Sequence, residues 1–174
     1  MTLTHPRKTM FKSTLKALAM FAVIAVSQAS VSAQFKATHA DMKITLPEKP
    51  ASDSIALGDG TMQHRLMVNR PNGSIIIWQQ NANSQIKVSD ALKKAQNAIV
   101  KMAGGEILAQ SEEKVDGKPA RTFTVSIPEK GGEFRVGYYY ANGKNYQVMS
   151  VGAPEFTRSK SVDAMFKSIR FQSN

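Results

Sequence analysis

The side chains able to do chemistry in this 174-residue chain are few and scattered. It has no cysteine, which removes thiol nucleophiles, structural disulfides, cysteine-ligated zinc and a lipidated N-terminal cysteine together. A serine–histidine–aspartate triad must draw on His39 or His64, the two histidines beyond the N-terminal region. His64 falls in the alternating run Met62, His64, Leu66, Val68, and so reads as a structural histidine on the apolar side of a strand. His39 and Asp41 are two apart and would share one face of a strand, but two ligands fall short of the three or four that a metal centre uses. No metal site is expected.

The glycine pairs and paired carboxylates add no catalytic set. Gly58-Asp59-Gly60 lacks the Lys-Ser/Thr and the strand-to-helix setting of a phosphate loop. Gly104-Gly105 follows a helical pattern, the wrong end for cradling phosphate, and Gly131-Gly132 reads as a hairpin loop. Glu112-Glu113 sits in what reads as a charged, solvated turn. The expectation is a protein that is not an enzyme and carries no cofactor. Binding potential rests with Tyr140, Tyr146, Arg135 and Trp78, since aromatic and arginine side chains carry much of the energy at binding surfaces. Tyr140 and Tyr146, nearest a turn, are expected to be partly exposed.

The elements that would position these groups are mostly strands. Pro71-Asn72-Gly73 turns the chain into Ser74–Gln80, where Ile75 and Ile77 share one face and Ile76 and Trp78 the other, a pattern for a strand covered on both sides. Phe123, Val125 and Ile127 mark a strand after the turn at Asp116-Gly117. Asn142-Gly143 supplies the two positive-φ positions of a type I′ hairpin and fixes a register pairing Ala141 with Lys144, Tyr139 with Tyr146 and Gly137 with Val148. One face then holds Phe134, Val136, Tyr138, Met149 and Val151, and the other Tyr139, Tyr146 and Val148. Helices are expected from an N-cap at Ser89 through Leu92, Ala95, Ile99 and Met102 to Gly104-Gly105, and from Ser159 to Lys167. Residues 47–60 read as a loop. The fold class is α+β, an antiparallel sheet with helices on both faces.

The first 33 residues differ in kind. Arg7, Lys8, Lys12 and Lys16 precede the apolar run Ala17–Val26, and Val31-Ser32-Ala33 offers the small residues a signal peptidase reads. Ten apolar residues are too few to span a bilayer, which takes about 20. Cleavage after Ala33, or at the alternative Ala29, leaves a single domain over residues 34–174. Removing residues 1–33 takes four of the 23 basic residues and no acidic one, so 19 face 13 and the +10 of the full chain becomes +6. The remaining charges are interspersed, unlike the contiguous basic stripe that reads nucleic acid. A nucleic-acid partner and a stable membrane anchor are not expected.

Several segments together resemble the PsbP-like superfamily, with its DcrB-like periplasmic branch. They are Gly104-Gly-Glu-Ile-Leu108, Val115-Asp-Gly-Lys-Pro-Ala-Arg-Thr-Phe123, Tyr138-Tyr-Tyr140, Asn142-Gly-Lys-Asn-Tyr-Gln-Val148 and Ala164-Met-Phe-Lys-Ser-Ile-Arg-Phe171. The resemblance covers residues 41–172 and is carried by fold-determining positions. It implies an α/β/α sandwich and a non-enzymatic accessory role, docking to a larger protein assembly; with the leader segment, the expectation is a monomeric protein that is periplasmic or secreted. The alternative is a carrier or sensor of a small apolar ligand held between sheet and helix. No residues match a metal site of the photosynthetic members. Export is tested by the mass of the protein from the envelope fraction: a chain beginning at Gln34 is expected, and full-length chain retained in the cytosol would overturn it.

Overall fold

The computed structural model describes residues 34–56, 62–82 and 85–172; residues 1–33 and their cleavage site lie outside them. The chain runs β1 (Phe35–His39), β2 (Met42–Leu46), β3 (Ala51–Ala56), β4 (Met62–Arg70), β5 (Gly73–Asn81), α1 (Val88–Ala103), β6 (Ile107–Val115), β7 (Lys118–Ile127), β8 (Gly132–Ala141), β9 (Lys144–Gly152), α2 (Pro154–Thr157), α3 (Lys160–Lys167) and β10 (Arg170–Phe171). Seven strands form an antiparallel sheet in the order β3-β4-β5-β9-β8-β7-β6, and β1-β2-β10 form a small second sheet. The architecture is α+β.

Local signals explain several elements. Asn142 and Gly143 both have positive φ (51° and 72°), and the hairpin pairs Ala141 with Lys144 and Tyr139 with Tyr146 as the turn requires. Gly104 closes α1 in the left-handed conformation, its N–H bonded to the Val100 carbonyl. Ser159 caps α3, its hydroxyl accepting from the Val162 N–H. At the start of α1 the expectation fails: the helix begins at Val88 after Lys87, and no side chain caps it. Part of the expected loop 47–60 is instead strand β3, paired along β4.

Two apolar cores flank the large sheet, because alternate residues of β8 and β9 point to opposite sides. One core joins Ile99 and Ala103 of α1 to Phe123, Val125, Val136 and Met149. The other sets Ile75, Ile77, Tyr139, Tyr146 and Val148 against Met42, Ile44 and Leu46 of the small sheet, with Phe156, Val162 and Met165 of α2 and α3. Much of this side is thus closed by a second sheet that the sequence patterns did not show.

The small sheet is locked on by aromatic rings. Phe171 tilts onto both Tyr139 and Tyr146, with centroids 5.7 and 5.3 Å apart. The Tyr146 hydroxyl accepts from the Asp41 N–H at 3.3 Å, and the Lys144 ammonium holds the Asp41 carboxylate at 2.9 Å. Tyr146 is fully buried here, against the expected partial exposure. Phe171→Ala should lower unfolding free energy by about 3–5 kcal/mol in urea titrations, as for other buried phenylalanines. Phe35→Ala, at a ring 36% exposed, should cost less than about 1 kcal/mol.

Candidate functional site

The concave regions among the described residues include one on each side of the large sheet. The larger, of about 740 Å³, lies over the outer strands β6, β7 and β8 beside α3. Its floor carries short side chains in register across the strands: Ser111 opposite Thr122, itself opposite Gly137, and Thr124 opposite Arg135. Gly137 is required by packing, since a Cβ there would run into the Tyr139 hydroxyl. Arg135 forms one wall. Its guanidinium pairs with Asp163, lies 4.8 Å from the centroid of the Phe166 ring and donates to the Thr157 carbonyl. Lys114, Lys167 and Arg170 also line this cleft, with Glu113 and Asp116. Asp116 is occupied, its carboxylate accepting the Phe171 N–H at 2.8 Å.

β6 borders the cleft as the sheet's edge strand, exposed along its length except at Val115. Glu112 and Glu113 therefore lie in the middle of a strand, not in the expected charged turn. Their side chains alternate in direction: Glu112 pairs with Arg121, and Glu113 lines the cleft.

The second region is a groove of about 300 Å³ between α1 and the sheet. Ala91, Ala95 and Ala98, spaced to share a helix side, form its roof. Tyr138 and Tyr140 form its floor with Asn145, and Gln80 pairs across from Asn145. Tyr138 is stacked on Phe123, centroids 6.1 Å apart, and burial raises its hydroxyl pKa well above the ordinary value, so the phenol stays protonated. Trp78 lies on the same side of the sheet, half-buried, its indole N–H donating to Gln147 Oε1 at 2.7 Å.

The four residues expected to bind are therefore not brought together. Tyr140 lines the groove, Trp78 is tied to the sheet near it, Arg135 belongs to the opposite cleft, and Tyr146 is core. Sequence reasoning missed the hydroxyl floor and the alanine roof, whose significance depends on which neighbours stop short of them.

The histidines also differ from expectation. His64 is exposed, and its Nδ1 lies 2.8 Å from Ser54 Oγ on the adjacent strand. Asp53, next to Ser54, points to the other side of the hairpin and is held by Arg65 at 2.5 Å, so it does not orient the imidazole. His39 ends β1 and is 8% exposed, its Nε2 without a hydrogen-bond partner. Asp41 turns away from it toward Lys144, and among the described residues no group of three metal-ligating side chains forms.

The backbone is similar to that of cyanobacterial PsbP (CyanoP) from Synechocystis sp. PCC 6803, with a TM-score of 0.59 at 10% identity over 86% of this chain and 99% of that one. The PA94 protein of Pseudomonas aeruginosa aligns with a TM-score of 0.44 at 10% identity, over 71% of this chain and 85% of that one. No protein-family model and no curated protein matches the sequence. The fold is PsbP-like.

Burial holds the His39 pKa below the ordinary 6.5, outweighing a hydrogen bond with the His64 backbone that raises it. The unfolded chain then binds the proton more readily, so stability falls as pH drops below about 6.5 toward the folded pKa. Urea midpoints taken between pH 7.5 and 5 should decline, and His39→Leu should flatten that decline. An unchanged slope in the variant would assign the pH dependence to other groups.

Proposed function

We propose that this PsbP-like chain is an exported, non-enzymatic binding or accessory protein of the bacterial cell envelope that docks onto a larger protein assembly. The observation that carries this reading is the cleft beside β6. A long exposed edge strand presents unpaired backbone groups able to accept another strand, as in recognition by strand addition. The adjoining hydroxyl floor and cationic rim would then read the side chains of an acidic segment. The reading takes helices on both faces of the sheet as the frame, and residues 1–33 as the export signal. Among the described residues no helix is long and apolar enough to cross a membrane.

A second reading, a carrier or sensor of a small apolar ligand, is favoured by the groove between α1 and the sheet. That groove has the place in the fold and the lining the reading needs.

A photo-crosslinking residue at Ser111 tests docking in living cells. A discrete, light-dependent adduct is expected there, weakened severalfold by charge reversal at Lys167 and Arg170. A crosslinker at Asn97, exposed on α1, serves as the control. Adducts at Asn97 and none at Ser111 would overturn the cleft as the docking surface.

A further inference from the structure

We propose that the groove between α1 and the sheet binds a small anionic amphiphile, an apolar body of about ten carbons ending in a carboxylate, with Lys94 as the residue that reads the carboxylate. The proposal rests on the second reading above and names the ligand class for that site.

The space follows from the sequence of α1. Leu92, Gln96, Ile99 and Ala103 form the helix's buried stripe and seat it on the sheet. The neighbouring side carries Ala91, Ala95 and Ala98, one methyl each, opposite the rings of Tyr138 and Tyr140. Leucines at those positions would fill the gap; alanines leave an apolar slot between a helix and two aromatic rings. Ile86, Val88 and Leu92 extend its apolar lining. Its volume of about 300 Å³ matches the small end of ligand sites. The body of the ligand is therefore short and apolar.

The polar groups decide the head. Among the described residues the groove is lined by no carboxylate, and the one charged side chain on it is Lys94. Lys94 is exposed and enters no ion pair among the described residues. Asp90, one helical turn earlier, does not line the groove. Gln80, Asn81 and Asn145 add amide donors at the sheet side. An ammonium with amide donors beside an apolar slot is complementary to a carboxylate on a hydrocarbon, and charge-assisted hydrogen bonds make that pairing stronger than one to a neutral alcohol. A cationic head would meet Lys94 with repulsion.

Calorimetric titration of the purified full chain with decanoate and with 1-decanol tests this. Decanoate should bind, and Lys94→Gln should weaken it about tenfold while leaving 1-decanol unchanged, the scale of one lost charge-assisted contact. Ala95→Leu should weaken both ligands by more than tenfold by filling the slot. Ala98→Leu, at an exposed position, provides the same obstruction if the first variant is unstable. Equal binding of both ligands with no effect of Lys94→Gln would overturn the anionic head and leave the carrier reading standing. Failure of both ligands to bind the unaltered chain would overturn the proposal and the carrier reading alike, and would leave docking at β6 untouched.

Discussion

The structure depends on one junction, where Phe171 lies against Tyr139 and Tyr146. Those tyrosines face each other across the β8–β9 hairpin, so the Asn142-Gly143 turn that sets their register also builds the floor for the C-terminal ring. A two-residue strand such as β10 cannot hold itself. It is held by the buried ring, by the Phe171 N–H on Asp116, and by the Gln172 N–H on the Asp41 carbonyl. The apolar term outweighs the ionic one. Burying an aromatic ring is worth about 1.5–3 kcal/mol, whereas a half-exposed pair such as Lys144 with Asp41 contributes about 0–1. The ionic group sets direction more than strength, aiming the β1–β2 turn at the end of the hairpin. Lys144 and neighbouring hydrogen bonds keep the Asp41 carboxyl below its ordinary pKa, so this aim persists through neutral pH.

Where that junction ends, the candidate surfaces begin. The small sheet and α3 reach over the large sheet as far as Ala120 of β7 and Val115 at the end of β6, and the hydroxyl-floored cleft lies over the rest of β6 and β7 beside α3. On the opposite side α1 packs over β7 and β8. A row of side chains crossing all seven strands explains this placement: Asp53, Arg65, Trp78, Gln147, Tyr138, Arg121 and Glu112 occupy successive register positions. Ion pairs close the row at both ends, Asp53 with Arg65 and Glu112 with Arg121, and Trp78 bonds Gln147 near its centre. Gln96 of α1 enters at the Arg121 end, accepting from its guanidinium at 2.6 Å and donating to Gln110 at 2.9 Å. A buried helix glutamine with both polar ends satisfied fixes the helix there, because sliding it would leave those groups unpaired in a dry place. The groove beside Tyr138 and Tyr140 is the gap on α1's other flank.

Such features were legible in the sequence only where the information is local. Asn142-Gly143 requires two positive φ angles, so the hairpin and its register could be read directly, and Gly104 and Ser159 announced helix ends by the same kind of demand. Alternation told which residues share a side of a strand but not which side faces water. Tyr146 is buried because Phe171, 25 residues later, comes back onto it. His64 is exposed, and its Nδ1 meets Ser54 on β3, a strand read as loop. Tyr140, close to the turn at the end of a strand, is partly exposed as its position implied. Arg135 carried less, since its partners Asp163 and Phe166 belong to a helix nearly thirty residues on.

The division of labour among charged residues bears on what such surfaces attract. Six ion pairs join described residues, and five of them use arginine: Arg65, Arg70, Arg121, Arg135 and Arg158. Each consumes a different carboxylate, and Lys144 consumes Asp41. Glu133, the most buried of these acids, is held by Arg158 and the Thr157 hydroxyl, which fastens α2 to the start of β8. Arginine suits this work because its planar fork grips a carboxylate in fixed geometry, while lysine remains a hydrated, mobile point charge. Among the described residues the fold thus commits five arginines and six carboxylates to ion pairs and leaves most lysines to solvent. Local fields are set by what remains uncommitted, and Lys94, Lys114 and Lys167 enter no ion pair among the described residues. The two linings differ around them: Lys94 stands beside an apolar slot lined by no carboxylate among the described residues, whereas Lys114 and Lys167 share a hydroxyl-floored cleft with Glu113 and Asp116.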